Sequence, residues 1–376
     1  MREAGKILQS TVPGSATTVV EVDPVRDPRW DSMVRRHRHA CVYHLGAWAE
    51  VLSSAYGGRP CYLGLEAADR TLIGGVPIIC TRGPITGRRM RTLPVVPPAG
   101  VLADSDADLR ALLEAAFGKA DDACARIWTL HSRQGGLTAV APELRERPKF
   151  PAYVRTLDGD PDEVRAGWKK SSKNVFRGIK KAEKSGVTVR EATSTADVRA
   201  FYMHYARTMR RRRVLPRSWR QIDAAFELLP EGVMRLHVAE YEGQIVAGSL
   251  WHSFRGTLDL LYNGSDDRAL ECRPNHALYW HALKWATETG HSALDFGVAK
   301  PGSGLAAFKE QWGAEPVPEH RFDYVPGGSV PEADEEPSKG AASLADGRDS
   351  DSLLARAIER APIRALSAGG RIAYRL

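Results

Sequence analysis

Two stretches of the chain decide the fold: YLGLEAADRTLIGGVPI at residues 62–78 and LHVAEYEGQIVAGSLW at residues 236–251. Each consists of two strand-forming runs separated by turn-forming residues, which is typical of a β-hairpin. Laid over one another, they share a glutamate at the end of the first strand and a pair of small residues early in the second. Such a pair indicates a bulge or a close backbone approach, which either presents N–H groups to a carbonyl oxygen or lets a helix pack tightly. The shared positions are Glu66 and Glu240, Gly74-Gly75 and Ala247-Gly248, and the turns Asp69-Arg70 and Glu242-Gly243.

The elements around each hairpin repeat as well, in the order helix, hairpin, helix, strand. This repeat predicts an α/β (α+β) protein of two similar halves, with mixed, mostly antiparallel sheets flanked by helices. The predicted first-half elements are helices 46–55 and 108–125 and strands 60–66, 71–80 and 126–132. The predicted second-half elements are helices 198–212 and 275–288 and strands 234–241, 244–254, 257–263 and 292–298. The expected domain division is a tail (1–16), a first domain (17–150), a second domain (151–325), a disordered linker (326–350) and a C-terminal amphipathic helix (351–376).

The composition is that of a globular protein, with 43% hydrophobic and 26% charged residues in a chain of 376. The sequence contains no apolar run long enough for a transmembrane helix, and its N-terminus lacks the apolar core of a signal peptide. We therefore expect a cytoplasmic protein. The five cysteines are odd in number and lack CxxC spacing, and the histidines form no ligand cluster. These patterns favour neither a disulfide framework nor a metal site, and we expect no bound cofactor.

The net charge of +7 and the pI near 9.2 indicate an anionic partner such as tRNA, coenzyme A, a nucleotide-linked precursor or a membrane surface. Much of this charge lies in residues 161–185. Apolar residues at helical spacing and a separate Lys/Arg stripe predict a basic helix there, ended by Gly186. The C-terminal segment 351–376 is basic and amphipathic too. It is expected either to dock on the protein or to lie on an anionic surface at the inner membrane face.

Residues 273–324, RPNHALYWHALKWATETGHSALDFGVAKPGSGLAAFKEQWGAEPVPEHRFDY, resemble the closing part of the FemABX peptidyltransferases. The shared pattern is a helix ending in WA, a DFG-like strand, a glycine-rich turn, and then FK and WG. The version GSGLAAFKEQWGAEP is most similar to the FemAB-related GNAT-domain proteins found with exopolysaccharide and protein-sorting systems. Further similar segments are KNVFRGIKKAEKSGV (173–187), LYNGS (261–265) and HLGAWAEVLSSAYG (44–57).

The resemblance implies tandem GNAT-like domains with a substrate groove between them. It also implies transfer of an activated acyl or aminoacyl group to an amine of a cell-envelope, polysaccharide or metabolite acceptor. The implied donor is an acyl-CoA, an acyl-carrier protein or an aminoacyl-tRNA. Two departures argue against a nucleotide-linked peptidoglycan acceptor and the interpeptide-bridge role. The family's phosphate-binding lysine, four residues after Trp48, is replaced by Leu52, and no coiled-coil arm is present.

The residues that match the family's motifs supply the candidate site. The resemblance implies that Lys309 binds the donor or the oxyanion and that Tyr262 contacts the acceptor. The alternatives are a surface lysine and a buried tyrosine with a satisfied hydroxyl. Asn275, after Arg273, is placed either to cap a helix or to contact substrate. The other candidates for substrate binding are Arg207, Tyr202, Tyr205, Arg177, Asn174, Arg273 and Phe308.

A non-catalytic module that binds nucleic acid or a membrane surface is the competing hypothesis. It predicts that the basic helix matters and that the residues around Tyr262 and Lys309 do not. The sequence offers no convincing general base, although Asp295, His252 and Glu240 lie on predicted strands. The oligomeric state is left open.

Overall fold

The computed structural model describes residues 17–83, 87–94, 96–328 and 353–373. The first-half elements are β1 (Thr18–Val22), α1 (Pro28–Arg36), α2 (Ala47–Tyr56), β2 (Arg59–Pro60), β3 (Tyr62–Glu66), β4 (Leu72–Val76), β5 (Ile79–Gly83), β6 (Gly87–Arg91), α3 (Asp106–Asp122), β7 (Ile127–Ser132), α4 (Leu137–Val140) and β8 (Arg145–Arg147). The elements that follow are β9 (Ala152–Thr156), α5 (Pro161–Ser171), α6 (Lys173–Lys184), β10 (Thr188–Glu191), α7 (Thr195–Arg211), α8 (Trp219–Leu228), β11 (Met234–Tyr241), β12 (Gln244–Phe254), β13 (Thr257–Ser265), α9 (Pro274–Glu288), β14 (Ala293–Val298), α10 (Gly304–Gln311), β15 (Glu315–Val317), β16 (His320–Tyr324), α11 (Leu353–Arg360) and α12 (Ile363–Ala373).

The predicted duplication is confirmed by the strand pairing. The hairpins β3–β4 and β11–β12 are both antiparallel, and in each the register shifts beside the shared glutamate. Each half also contains a parallel pair joined by a crossover helix, β6 with β7 through α3 and β13 with β14 through α9. Both parallel pairs extend over only three residues before the strands separate. The two halves are therefore copies of one α/β unit, as the sequence repeat predicts.

The small pair in the second hairpin allows a helix to pack closely on the sheet. A methyl group at Gly248 would lie 2.7 Å from the ring of Phe201 on α7. In the first hairpin, a methyl group at Gly74 would lie 2.3 Å from the carbonyl oxygen of Leu102. Of the two roles considered from the sequence, close packing is the one that these contacts support.

One strand from the end of the second half, β16, joins a sheet of the first half. The second sheet has the order β10-β11-β12-β13-β14-β9-β15, whereas β16 lies between β7 and β8 in a first-half sheet of order β2-β5-β6-β7-β16-β8. The remaining first-half sheet has the order β1-β3-β4. The predicted second domain extended to residue 325, but His320–Tyr324 pairs with β7 and so belongs to the first half. Thr129 of β7 donates a hydrogen bond of 2.8 Å to Asp323 across this pair.

One predicted helix and one predicted strand in the body of the chain are each interrupted. The basic segment 161–185 forms α5 and α6, because Ser172 leaves helical geometry (φ −143°, ψ 67°) and its hydroxyl donates to the carbonyl of Gln311 at 2.6 Å. Gly186 follows α6 with a φ of +81°, as predicted. The strand predicted over 71–80 is divided into β4 and β5 at Pro77, which has no N–H group for a ladder.

The C-terminal segment forms two short helices, α11 and α12, in place of the single helix predicted over 351–376. Both contact α7, with Ile358 and Leu366 buried. The hydroxyl of Tyr202 on α7 lies 2.7 Å from that of Ser367, which also accepts the backbone N–H of Trp219. Within the described residues the segment is therefore docked on the protein. Most of the predicted linker, residues 329–350, lies outside the described residues.

The helices in the described part of the chain are either too short or too polar to cross a membrane.

The close approach of α7 to β13 leads to a stability prediction. A methyl group at Gly264 would lie 2.3 Å from the backbone nitrogen of Tyr205, so Gly264→Ala must push α7 away from the sheet. We expect the free energy of unfolding in urea to fall by about 1–3 kcal/mol. Gly118→Ala, in a helix where the added methyl meets nothing within 4 Å, is the control and should be neutral or stabilising. Equal losses in the two variants would contradict the packing argument.

Candidate active site

A cavity lies where β13 and β14 separate. The strands pair only over Thr257–Asp259 and Ala293–Asp295. Beyond this pairing they enclose a cavity of about 720 Å³. Its walls combine cationic, phenolic and apolar side chains from β13, β14, the N-terminus of α9, α10 and the segment after α7. The lining residues used below are Tyr205, Arg212, Arg217, Tyr262, Asn263, Arg273, Asn275, His276, Tyr279, Gly297, Val298, Phe308 and Lys309.

The backbone of β14 turns at Gly297. Its pairing with β9 is irregular between Asp295 and Val298, and Gly297 has a φ of +72°, which favours glycine. The N–H of Gly297 donates to the carboxylate of Asp295 at 2.7 Å, and this bond closes the turn. As a result, the carbonyl groups of Gly297 and Val298 are directed towards α10.

Lys309 binds these two carbonyl groups. Its Nζ donates to the oxygen of Gly297 at 2.7 Å and to that of Val298 at 2.9 Å, and the side chain is only 4% exposed. Burial lowers the pKa of Lys309 to about 8; the carboxylates of Asp295 and Glu319 oppose this shift, and Arg212 adds to it. The group is therefore mainly an ammonium ion at neutral pH. An ammonium has three N–H donors, and these two bonds leave one for a ligand in the cavity.

This pKa gives a pH dependence with a defined sign. Below pH 8 the ammonium form can stabilise an oxyanion, and above it the neutral amine cannot. We expect kcat/KM to fall as the pH rises through about 8. The measurement is a pH–rate profile of the wild-type chain and of Lys309→Arg. The guanidinium of the variant stays charged, so its kcat/KM should not fall in this pH range. A rate that instead rises through pH 8 would indicate that the neutral amine acts as a base.

Two tyrosines lie together on another wall. The rings of Tyr205 on α7 and Tyr262 on β13 are 4.8 Å apart. The hydroxyl of Tyr262 accepts from the side-chain amide of Gln221 at 3.2 Å, and the oxygen of that amide accepts from Tyr56 of the first half at 2.6 Å. Tyr262 thus lines the cavity and is also held by the first half through Gln221.

Cationic and amide groups surround the N-terminus of α9. Arg273 precedes this helix with a φ of 58° and is itself the N-cap residue. Of the two roles considered for Asn275, capping of the helix is therefore wrong; its side-chain oxygen accepts from Asn263 at 3.3 Å. Arg212 and Arg217 complete the cationic part of the lining. A helix N-terminus beside arginines is suited to binding an anionic group.

The cavity brings together six of the predicted site residues: Lys309, Tyr262, Tyr205, Arg273, Asn275 and Phe308. The other four lie elsewhere. Arg207 is exposed on α7, and Tyr202 is buried with its hydroxyl bonded to the carbonyl of Arg217 at 3.0 Å. Arg177 and Asn174 are exposed on α6, Asn174 at a separate shallow cavity. The sequence interpretation missed Arg217, which carries no distinguishing pattern, and Asn263, which follows Tyr262 within the LYNGS segment; Arg212 belongs to the arginine run at the end of α7.

The three general-base candidates lie outside the cavity lining. His252 is completely buried beside the Tyr43 hydroxyl at 3.1 Å, and burial lowers its pKa to about 3. Glu240 accepts from Arg190 at 2.8 Å, and Asp295 is bonded to Arg133. Asp295 lies near Lys309, but its carboxylate is bonded to Arg133 and to the N–H of Gly297.

The cavity also differs in position from the groove implied by the resemblance. All of its lining residues belong to the second half. A smaller cavity of about 240 Å³ is lined by both halves, including Arg38, Tyr43 and Arg133 from the first and Arg255 and Asp259 from the second.

Comparisons with known proteins define the class of this fold. Residues 169–310, which contain the whole cavity lining, match the family model of the GNAT acetyltransferase domain. The fold over most of the chain is that of FemX, whose crystal structure is similar with a TM-score of 0.66 and 17% identity, covering 82% of this chain and 97% of that one. The structure of L-PGS from Bacillus licheniformis is similar with a TM-score of 0.55 and 16% identity, covering 81% and 94%.

A conserved protein of unknown function from Bacteroides thetaiotaomicron is similar with a TM-score of 0.53 and 11% identity, covering 81% of this chain and 99% of its own. The chain matches no curated protein. The predicted resemblance to FemABX proteins is confirmed as a likeness of fold.

Proposed function

We propose that this protein is an acyl- or aminoacyltransferase that moves an activated acyl or aminoacyl group to an amine of a cell-envelope, polysaccharide or metabolite acceptor. One observation carries the proposal. A buried ammonium group, Lys309, is fixed by two carbonyl groups at the point where two parallel strands of a GNAT domain open into a cavity. A fixed charge in a partly desolvated site is the feature that stabilises developing negative charge most effectively.

The reaction needs no covalent enzyme intermediate. The amine nitrogen of the acceptor attacks the carbonyl carbon of the donor, and the carbonyl oxygen becomes an oxyanion beside Lys309. The intermediate then collapses, the bond from carbon to sulfur (in a thioester) or oxygen (in an ester) breaks, and the amine proton passes to the leaving group. The chain would contribute positioning and charge stabilisation, with proton transfer assisted by the substrate.

The lining fits a donor with an anionic part and an apolar part. Arg212, Arg217 and Arg273 supply cations near the N-terminus of α9, whereas Phe308 and neighbouring leucines supply an apolar wall. An acyl-CoA, an acyl-carrier protein and an aminoacyl-tRNA all carry phosphates, which the pantetheine arm separates from the activated carbonyl in the first two and the terminal ribose separates from it in the third. Each is a candidate co-substrate.

The proposed acceptor differs from a nucleotide-linked peptidoglycan precursor. The position of the family's phosphate-binding lysine holds Leu52, which is 1% exposed and packs in an apolar core cluster that includes residues of both halves. A buried leucine cannot bind a phosphate. An amine from the envelope, a polysaccharide or a small metabolite, met in the cytoplasm or at the inner membrane face, remains the acceptor we propose.

The test is label transfer from defined donors. The purified chain is incubated separately with labelled acyl-CoA, acyl-carrier protein and charged tRNA, each together with cell-envelope and small-molecule extracts. Transfer from one donor pool, lost in Lys309→Met, would support the proposal and identify the donor class. Absence of transfer from all three pools would contradict it.

The exposed basic face of α6 supports a second candidate, a non-catalytic module that binds an anionic polymer or surface. Lys173, Arg177 and Lys180 on this face are exposed, and all lie away from the cavity lining. Neutralising these three should leave turnover intact if the protein is an enzyme acting on small donors. It should abolish the cellular activity if the module hypothesis is correct.

A further inference from the structure

An ion pair between the halves reaches the turn that holds Lys309. Arg133 follows β7 of the first half, and its guanidinium is hydrogen-bonded to the carboxylate of Asp295 on β14. Asp295 is 2% exposed. Its other oxygen accepts the N–H of Gly297 at 2.7 Å. The same carboxylate is thus bound at once by a first-half arginine and by the turn residue of the active-site strand.

The next contact is with Lys309 itself. The carbonyl oxygen of Gly297 accepts from Lys309 Nζ at 2.7 Å. One glycine therefore connects the two interactions, because its N–H is fixed by Asp295 while its C=O fixes the lysine. A shift of this peptide would move a charge that must lie close to the reacting carbonyl, where displacements of about 1 Å are costly.

A second carboxylate, Glu319, lies close to Arg133. Lys149 lies 2.7 Å from the carboxylate of Glu319, and Arg133 lies 3.8 Å from it. Asp259, opposite Asp295 on β13, has its pKa raised well above the usual range by burial and by the neighbouring carboxylate. The removal of Arg133 would leave the buried carboxylate of Asp295 without the cation bonded to it.

We propose that Arg133, a residue of the first half, is a positioning residue for Lys309, because it holds Asp295 and Asp295 holds the Gly297 turn that binds the ammonium group. Its catalytic consequence rests on the proposed function, in which Lys309 meets the reacting carbonyl. The structural part of the proposal concerns only the position and the ionisation of Lys309. The first half is then a functional part of a site whose lining comes entirely from the second.

The ionisation of Lys309 can be measured without any substrate. Competitive labelling with trace acetic anhydride, read by mass spectrometry of the Lys309 peptide across pH, reports the fraction of neutral amine. The groups that act on this lysine are Asp295, Glu319 and Arg212, with the Tyr153 ring 5.7 Å away. The ionisable groups on α9 in the same cavity are neutral near pH 8, because burial lowers the pKa of His276 to about 4 and raises that of Tyr279 to about 12.

In Arg133→Met the labelling curve is expected to move to higher pH than the wild-type midpoint of about 8. The unshielded carboxylate of Asp295 and the looser, better-hydrated lysine both act in that direction. Hydrogen exchange of the Gly297 amide should become faster. In Asp295→Asn the midpoint should move to lower pH, because a carboxylate charge is lost, while the amide oxygen can still accept from Gly297.

Arg147→Met is the matched control. Arg147 is also a first-half arginine paired with a buried carboxylate, Asp323 at 3.7 Å, but it lies on β8, away from β14. It should leave both the labelling midpoint and Gly297 exchange unchanged. In turnover assays Arg133→Met should lower kcat on the order of 10–100-fold with little change in KM, and Arg133→Lys should restore part of the loss.

A wild-type labelling midpoint and wild-type Gly297 exchange in Arg133→Met would overturn the proposal. If that variant does not fold, Arg133→Lys carries the test, since its single ammonium cannot bind both carboxylates as the guanidinium fork does. In Arg133→Lys the labelling midpoint of Lys309 is expected to move in the same direction by a smaller amount. A midpoint equal to that of the wild type would overturn the proposal. If labelling shifts but Lys309→Met turns over normally, the positioning inference stands and the proposed catalytic role of Lys309 fails.

Discussion

Lys309→Met is expected to lower kcat by about 10²–10³-fold, the range found when a main donor to an oxyanion is removed. Methionine has nearly the length of lysine but neither its charge nor its N–H groups. The substitution leaves the carbonyl oxygens of Gly297 and Val298 without the ammonium that now binds both. The loss should appear in single-turnover rates with the donor identified by label transfer, with a smaller effect on donor binding.

The matched control is Lys284→Met. Lys284 is on the exposed face of α9 and forms only a solvent-exposed pair with Glu288 at 3.7 Å. Its removal should leave kcat unchanged. Equal turnover in the two variants would refute a catalytic Lys309. If neutralising Lys173, Arg177 and Lys180 then abolished the cellular activity, the binding-module hypothesis would replace the enzyme.

The second-half hairpin was predictable from sequence because its signals are local. The strands Met234–Tyr241 and Gln244–Phe254 begin and end at the predicted residues, and the turn residues Glu242 and Gly243 have φ values of 51° and 73°. Alternating apolar residues and turn chemistry act within a few positions of one another. The crossing of β16 into the first-half sheet has no such signal. The placement of β16 beside β7 depends on contacts nearly two hundred residues apart, such as that of Thr129 with Asp323.

The site was predictable to the extent that a motif or a helical period defined it. Lys309 and Phe308 come from a motif, and the cavity contains both. Arg207 was predicted to bind substrate because it lies on a predicted helix. The helical period does not say which face of that helix meets the cavity, and the side chain of Arg207 is exposed. Arg133 had no motif at all. Its contact with Asp295 joins residues far apart in sequence and exists only once the halves have packed.

The double variant Arg212→Gln/Arg273→Gln is expected to raise KM for a phosphate-bearing donor by about 10- to 100-fold, because each arginine can form a charge-assisted hydrogen bond worth roughly 0.7–1.4 kcal/mol where it is exposed to solvent. Both residues line the cavity, and Arg273 adjoins the N-terminus of α9. Because Arg212 lowers the pKa of Lys309, its removal should also move the fall in kcat/KM to a higher pH. Steady-state kinetics across pH measure both the rise in KM and this shift. At a higher salt concentration the difference in KM between the variant and the wild type should become smaller.

Arg207→Gln is the control, since this arginine is exposed on α7 outside the cavity lining. Any general attraction of the basic surface for phosphates would be reduced about equally by the loss of Arg207 or of either cavity arginine. If Arg212 and Arg273 bind the phosphates specifically, in contrast, KM should be unchanged in Arg207→Gln. The cavity would lose its assignment as the donor site if the single variants Arg207→Gln and Arg273→Gln raised KM equally. A KM effect confined to Arg212 and Arg273 would place the donor's anionic part at the N-terminus of α9, in the cavity that Lys309 also lines.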